Sequence, residues 1–162
     1  MEKVVVDGVE PSALNPALRA LTDELGATDL ALNRYDVDPG GMVSGGYHTH
    51  HDQEEVLVVV SGAVTVVVED GDVAVGAGEA VRFPRGEFHH AYNDSDEPAV
   101  VLAVGAPSYS SEVESLRACP ACGETVYHRR PSVLGSDDDA GRIPPVECPR
   151  CGGETRRRGR PD

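Results

Sequence analysis

The sequence predicts an all-β chain: an antiparallel barrel or sandwich with a short N-terminal helix and a small cysteine-built module at the C-terminal end. Three observations point there. Between residues 29 and 107, Val-rich runs of four to eight residues alternate with Gly, Pro and Asp turns, the rhythm of a folded antiparallel sheet. All four cysteines fall between 119 and 151, in two C-x-x-C pairs. The charge also changes sign along the chain. Residues 1–116 carry 21 acidic and 5 basic side chains, a net of −16, whereas residues 117–162 carry 7 and 9, a net of +2. That shift marks a second module with a different job.

The elements follow in order. Asn15 is suited to cap a helix, Pro16 to begin it and Gly26 to stop it. Leu14, Leu18, Leu21 and Leu25 recur at helical spacing, which predicts a short helix over about 15–26. The runs LALNRYDV, EEVLVVV, AVTVVVE, VAVG, AVRF, HHAYN and AVVLAV then read as strands, with EDGD and NDSDEP as turns. Residues 108–118 are polar and read as a linker or short helix, with 113–118 as the linker proper.

Composition bounds the function. The N-terminus lacks the basic start and apolar core of a signal peptide, and no apolar run approaches the about 20 residues a bilayer requires. The expectation is a soluble, cytoplasmic protein. Of the 14 basic residues only Lys3 is a lysine, against 28 acidic residues. That balance suits a halophilic protein, whose exposed carboxylates hold water while salt screens their repulsion.

The chemistry concentrates in two segments. In GYHTHHDQEEVLVVVSG, residues 46–62, His48 and His50 are two apart and share one face of a strand. Glu54 and Glu55 compete as the carboxylate, and strand parity alone does not separate them, because the loop 51–53 can reset it. In GEAVRFPRGEFHHAYN, residues 78–93, His89 follows a strand and a Pro-Arg-Gly turn. His51 and His90 read as exposed neighbours. Thr49, Tyr47 and Tyr92 have the parity of the opposite face, and Arg82 and Arg85 read as rim surface. Three imidazoles and a carboxylate in an apolar barrel suit a divalent transition metal with open coordination positions.

Both segments resemble the two motifs of the cupin superfamily. His48-Thr49-His50, four residues, Glu55, six residues and Gly62 satisfy the first, with Gly41 one residue farther ahead than usual. Gly78, Pro84, Gly86, His89 and Asn93 satisfy the second. The resemblance implies a jelly-roll-like cupin barrel over 1–112, with motifs at 41–62 and 78–93. It implies His48, His50, Glu55 and His89 as ligands of Fe, Mn, Ni, Cu or Zn. It also selects Glu55 over Glu54, because the six-residue interval counted from Glu54 ends at Ser61. Cupins commonly pair through edge strands, so a homodimer is expected.

The cysteines form matching knuckles, Cys119-Pro120-Ala121-Cys122-Gly123 and Cys148-Pro149-Arg150-Cys151-Gly152. Each supplies two corners of a tetrahedron. They resemble a zinc ribbon over 119–155, followed by an Arg-rich tail over 156–162. Disulfides are disfavoured without an export signal, and a rubredoxin-like iron site is the other alternative. Four thiolates and one Zn²⁺ cancel the module's +2, which weighs against nucleic-acid binding by the tail. Two functions remain open. One is a mononuclear metalloenzyme, of dioxygenase or isomerase type, acting on a small polar molecule. The other is a regulatory cupin that senses a metabolite and contacts a protein partner through the ribbon.

Overall fold

The computed structural model describes residues 1–130 and 146–157, and among these it contains twelve strands in two antiparallel sheets. The acidic run 137–139 and the end of the tail, 158–162, lie outside the described residues. One sheet has the order β1 (Leu18–Ala20), β2 (Ala31–Val37), β9 (Ala99–Ala106), β4 (Glu54–Ser61), β7 (Ala80–Phe83). The other runs β11 (Thr125–Arg130), β10 (Val113–Ala118), β3 (His48–His50), β8 (His89–Tyr92), β5 (Ala63–Val68), β6 (Gly71–Gly76), and β12 (Arg156–Arg157) pairs with β10.

Alternation builds the core. Along β9 the odd-numbered positions Ala99, Val101, Ala103 and Gly105 are buried and the even ones partly open. Val37, Leu57, Val59, Val64, Val66 and Phe83 meet them between the sheets, each at most 2% exposed. Burial on this scale stabilises by about 1.5–3 kcal/mol per large side chain. At the turn from β4 to β5, Gly62 has φ +72, and a Cβ there would lie 2.5 Å from the Pro98 carbonyl oxygen. No other residue fits this crossing. Asn93, fully buried, donates to the carbonyls of Val37 and Glu97 and accepts from Ser95, so it ties the barrel wall to a loop.

Two sequence expectations are corrected. The helix over 15–26 does not form, and the one helical element among the described residues is a 3-10 turn at Val6–Gly8. Asn15 uses its cap chemistry locally, accepting from the Ala17 amide at 3.1 Å. Leu18 then enters β1 opposite Tyr35. Leu18 and Leu21 are each 2% exposed while Leu14 stays at the surface, so the pairing of this segment with β2 buries two of the four leucines without a helix. The linker expected over 113–118 is strand β10, paired with β3 on one edge and β11 on the other. Its polar letters hide a strand because Leu116 is buried, Glu114 pairs with His51 and Arg117 bonds to Thr155. Otherwise the expected runs are strands.

Candidate metal centres

The barrel site lies where the two sheets meet at one end. β3 presents His48 and His50 on one face, β8 begins with His89 directly opposite His48, and β4 brings Glu55 from the other sheet. Ligand atoms of His48, Glu55 and His89 all lie within 4.8 Å of one another. His50 stands slightly aside, with Nε2 3.7 Å from Glu55 Oε2. Glu54 points away to the surface and pairs with Arg82 at 3.1 Å.

The imidazoles are oriented from behind. His48 Nδ1 donates to the Gly46 carbonyl at 2.8 Å and His89 Nδ1 to the Glu87 carbonyl at 3.1 Å. A carbonyl only accepts, so each Nδ1 carries its proton and each Nε2 is left with a lone pair for the site. The Phe83 ring stacks on His89 with centroids 3.8 Å apart and planes 5° apart, which fixes the ring further. His89 Nε2 and Glu55 Oε2 are 3.1 Å apart. With that tautomer both atoms are acceptors, and such a pair needs a shared cation, either a second proton on His89 or a metal ion. His50 adds a buried Nδ1 with no hydrogen-bond partner. The donor set fits a divalent ion.

Protonation agrees. Burial, reinforced by neighbouring His89 and His50, lowers the His48 pKa to about 3, and burial likewise lowers His50. Burial works against ionisation of Glu55, yet the cation it shares with His89 across 3.1 Å holds its pKa at about 2. His48 and His50 neutral with Glu55 ionised is the state a metal requires. Deeper in the barrel, burial first and the Glu55 charge second push the Tyr35 phenol up, so it stays protonated.

The loop 51–53 is where sequence reasoning was least complete. His51 is half-buried and pairs with Glu114 at 2.7 Å. Asp52 accepts from Ser110 Oγ at 2.6 Å, Ser111 Oγ at 2.7 Å and the Ser111 amide at 2.8 Å. Gln53 is 7% exposed and donates to the Pro107 carbonyl. Its amide takes the space over Gly105, where a Cβ would lie 2.7 Å from it. His90, expected at the surface, is 7% exposed and stacks with Tyr92. It lies on the sheet face away from the ligands, where Tyr47, Val67 and Leu116 make a second small core.

The four cysteines converge. Their sulfurs all lie within 4.8 Å, with Cys119 to Cys151 at 3.6 Å and Cys122 to Cys148 at 3.9 Å. A tetrahedral ion with Zn–S bonds of about 2.3 Å sets its sulfurs about 3.8 Å apart. The knuckles are equivalent: Gly123 N donates to Cys119 O and Gly152 N to Cys148 O, each at 2.8 Å. The Cys122 amide is the main influence drawing the Cys119 thiol down to about 7. Cys119 and Cys148 are buried with Val126, while Cys122 and Cys151 are exposed. Four thiols without a disulfide, at this separation, fit one tetrahedral metal ion.

Residues 33–105 match the family model described as the cupin domain. Within the barrel, these residues form a cupin domain. A germin-like protein 3-1 of Oryza sativa subsp. japonica is 41% identical over 122 residues, covering 68% of this chain and 53% of that protein. The chain spans about half the length of the curated relatives it matches. Among solved structures, a cupin-superfamily sugar phosphate isomerase from Silicibacter pomeroyi aligns with TM-score 0.59 at 26% identity, covering 87% of this chain and 99% of that one. The polyketide cyclase RemF from Streptomyces resistomycificus aligns with TM-score 0.57 at 29% identity, covering 70% and 83%. No helix among the described residues of this chain is long and apolar enough to cross a membrane.

Proposed function

We propose that this protein is a mononuclear metalloenzyme of isomerase type, acting on a small polar molecule that carries a carbonyl group. The observation that carries the reading is the convergence of His48, Glu55 and His89, with His50 beside them, at a site that still touches solvent. The Glu55 side chain is 18% exposed and that of His50 13%. His48, His50, Glu55 and His89 would hold one divalent transition metal, and Cys119, Cys122, Cys148 and Cys151 one structural zinc.

A bound divalent ion would supply Lewis-acid polarisation of a substrate carbonyl. The chain supplies the rest. Gly46 and Glu87 fix the imidazole tautomers, and Phe83 holds the His89 ring. Chemistry on a carbonyl is favoured over oxygen insertion because the isomerase and the cyclase are similar to this chain above 25% identity. The sulfur cluster has four protein ligands and no open position, so its part is structural.

The reading is tested by solvent exchange. Sugar phosphates and small hydroxyketones are incubated in D₂O with protein whose metal content has been measured, and deuterium at carbons next to the carbonyl is followed by NMR. Exchange that needs the barrel metal and disappears with Glu55→Gln is the expected result. Oxygen consumption with the same compounds, without deuterium exchange, would replace the isomerase reading with an oxygenase.

A further inference from the structure

The strand that carries His48 and His50 is held mainly from one side. β3 pairs with β8 at a single position, His48 opposite His89. It pairs with β10 at three: His50 opposite Val113, Thr49 opposite Glu114 and His48 opposite Ser115. The Leu116 amide extends this seam by donating to the Tyr47 carbonyl at 2.9 Å, and the His51 amide by donating to the Glu112 carbonyl at 2.9 Å. The loop between His50 and Glu55 is fastened to the same stretch of chain. His51 reaches Glu114, Asp52 reaches Ser110 and Ser111, and Gln53 reaches Pro107. Two ligand histidines and the approach to Glu55 therefore depend on residues 107–116.

The far end of β10 belongs to the cysteine cluster. Ala118 is followed directly by Cys119, so the first knuckle grows from the strand. The second knuckle is tied back by Arg117, 6% exposed, whose Nε donates to Thr155 Oγ1 at 2.8 Å. Thr155 in turn donates to the Val146 carbonyl at 2.7 Å, closing the base of that knuckle. β12 pairs with β10 only at Arg117 and Ala118, while β11, which starts two residues after Gly123 of the first knuckle, pairs along all of β10 and sets Tyr127 against Phe88.

We infer that the two metal sites are thermodynamically linked through β10, so that metal in the cysteine cluster strengthens metal binding in the barrel. This rests on the reading that both sites hold metal. A module of this size gains much of its order from its ion. When the cluster is empty, β11 and β12 lose their anchor and β10 loses the partners on its outer edge. β3 then relies on its other edge, one paired residue on β8 and the Gly86 amide donating to the His50 carbonyl at 2.9 Å, and binding an ion must restore the lost order of His48 and His50. Linkage is reciprocal, so barrel metal must strengthen the cluster by the same factor.

The test uses the full chain loaded with one equivalent of zinc, titrated with Mn²⁺ and followed by electron paramagnetic resonance. Mn²⁺ prefers nitrogen and oxygen donors over thiolates and so reports on the barrel. Relative to the unaltered chain, Cys148→Ser with Cys151→Ser should weaken Mn²⁺ binding about fivefold or more, the lower end of usual allosteric couplings. Glu114→Gln with Asp52→Asn leaves both ligand sets intact and should weaken Mn²⁺ binding in the same direction. In the unaltered chain, Mn²⁺ should raise zinc affinity, read by competition with a chelating dye, by the factor that zinc raises Mn²⁺ affinity. This last arm decides the matter if the cysteine variant does not fold. Equal Mn²⁺ affinity with the cluster filled and empty overturns the linkage. An unaltered chain that takes up no Mn²⁺, Fe²⁺, Ni²⁺, Cu²⁺ or Zn²⁺ beyond the cluster overturns the barrel reading itself.

Discussion

Glu54 and Glu55 are adjacent, chemically equivalent and opposite in fate. Glu55 faces inward with its pKa held at about 2 by the cation it shares with His89, while Glu54 meets Arg82 at the surface, where both side chains are about half exposed or more. Glu55→Gln should therefore weaken barrel metal binding about tenfold or more, since changes even behind the ligands cost 10–100-fold. Glu54→Gln should change it little, an exposed pair being worth about 0–1 kcal/mol. Isothermal titration with Mn²⁺ separates the two, and comparable losses from both would show that the wrong carboxylate had been chosen. In the sequence this choice was legible only through motif spacing, because parity is lost across the loop 51–53. The loop's own contacts were not legible. Asp52 finds Ser110 and Ser111 some 58–59 residues away, and no local pattern encodes a partner at that distance.

Among the elements, strands written as unbroken apolar runs were readable and strands with polar faces were not. β9 announces itself as Ala-Val-Val-Leu-Ala-Val, whereas β10 reads Val-Glu-Ser-Leu-Arg-Ala and passes for a connector. Its identity depends on neighbours: His51 meets Glu114 and Thr155 meets Arg117. The leucines at 14, 18, 21 and 25 erred the other way: their spacing is helical, but pairing of Leu18 with Tyr35 on β2 overrides it. Turns were the most secure signal, and Gly62 gives that claim a measurable form. Gly62→Ala meets both a left-handed backbone, φ +72, and the Pro98 and Ala99 backbone at 2.5 and 2.8 Å. Gly26→Ala meets only the backbone penalty, φ +64 with nothing within 4 Å, or about 1–2 kcal/mol. Urea unfolding should show the Gly62 variant less stable than the Gly26 variant by at least about 1 kcal/mol more. Equal losses would mean the crossing beside Pro98 is loose.

At the scale of the whole molecule, charge is the dominant unresolved pressure on the fold. The chain carries a net −14, and residues 1–116 alone carry −16 on a barrel closed by apolar contacts. Few of these acids are neutralised by neighbours: the pairs of Arg34 with Asp7 and Asp36, Arg19 with Asp36 and Arg82 with Glu54 use three of the barrel's five basic residues. The remaining carboxylates repel across the surface over about 10 Å at 0.1 M salt, and over about 3 Å at 1 M. Raising KCl from 0.1 to 2 M should therefore stabilise the folded state. If screening relieves about 2 kcal/mol, Tm rises by about 4–8 °C for a chain of this length. Calorimetry of the metal-loaded protein measures this directly, with zinc and barrel metal in excess so that occupancy does not change with salt. Ion pairs are weakened by the same screening, so a chain stabilised mainly by pairs would instead show a flat or falling Tm. A flat curve would assign the acidic surface to solubility alone, and a rise would make screening part of how this barrel stays folded.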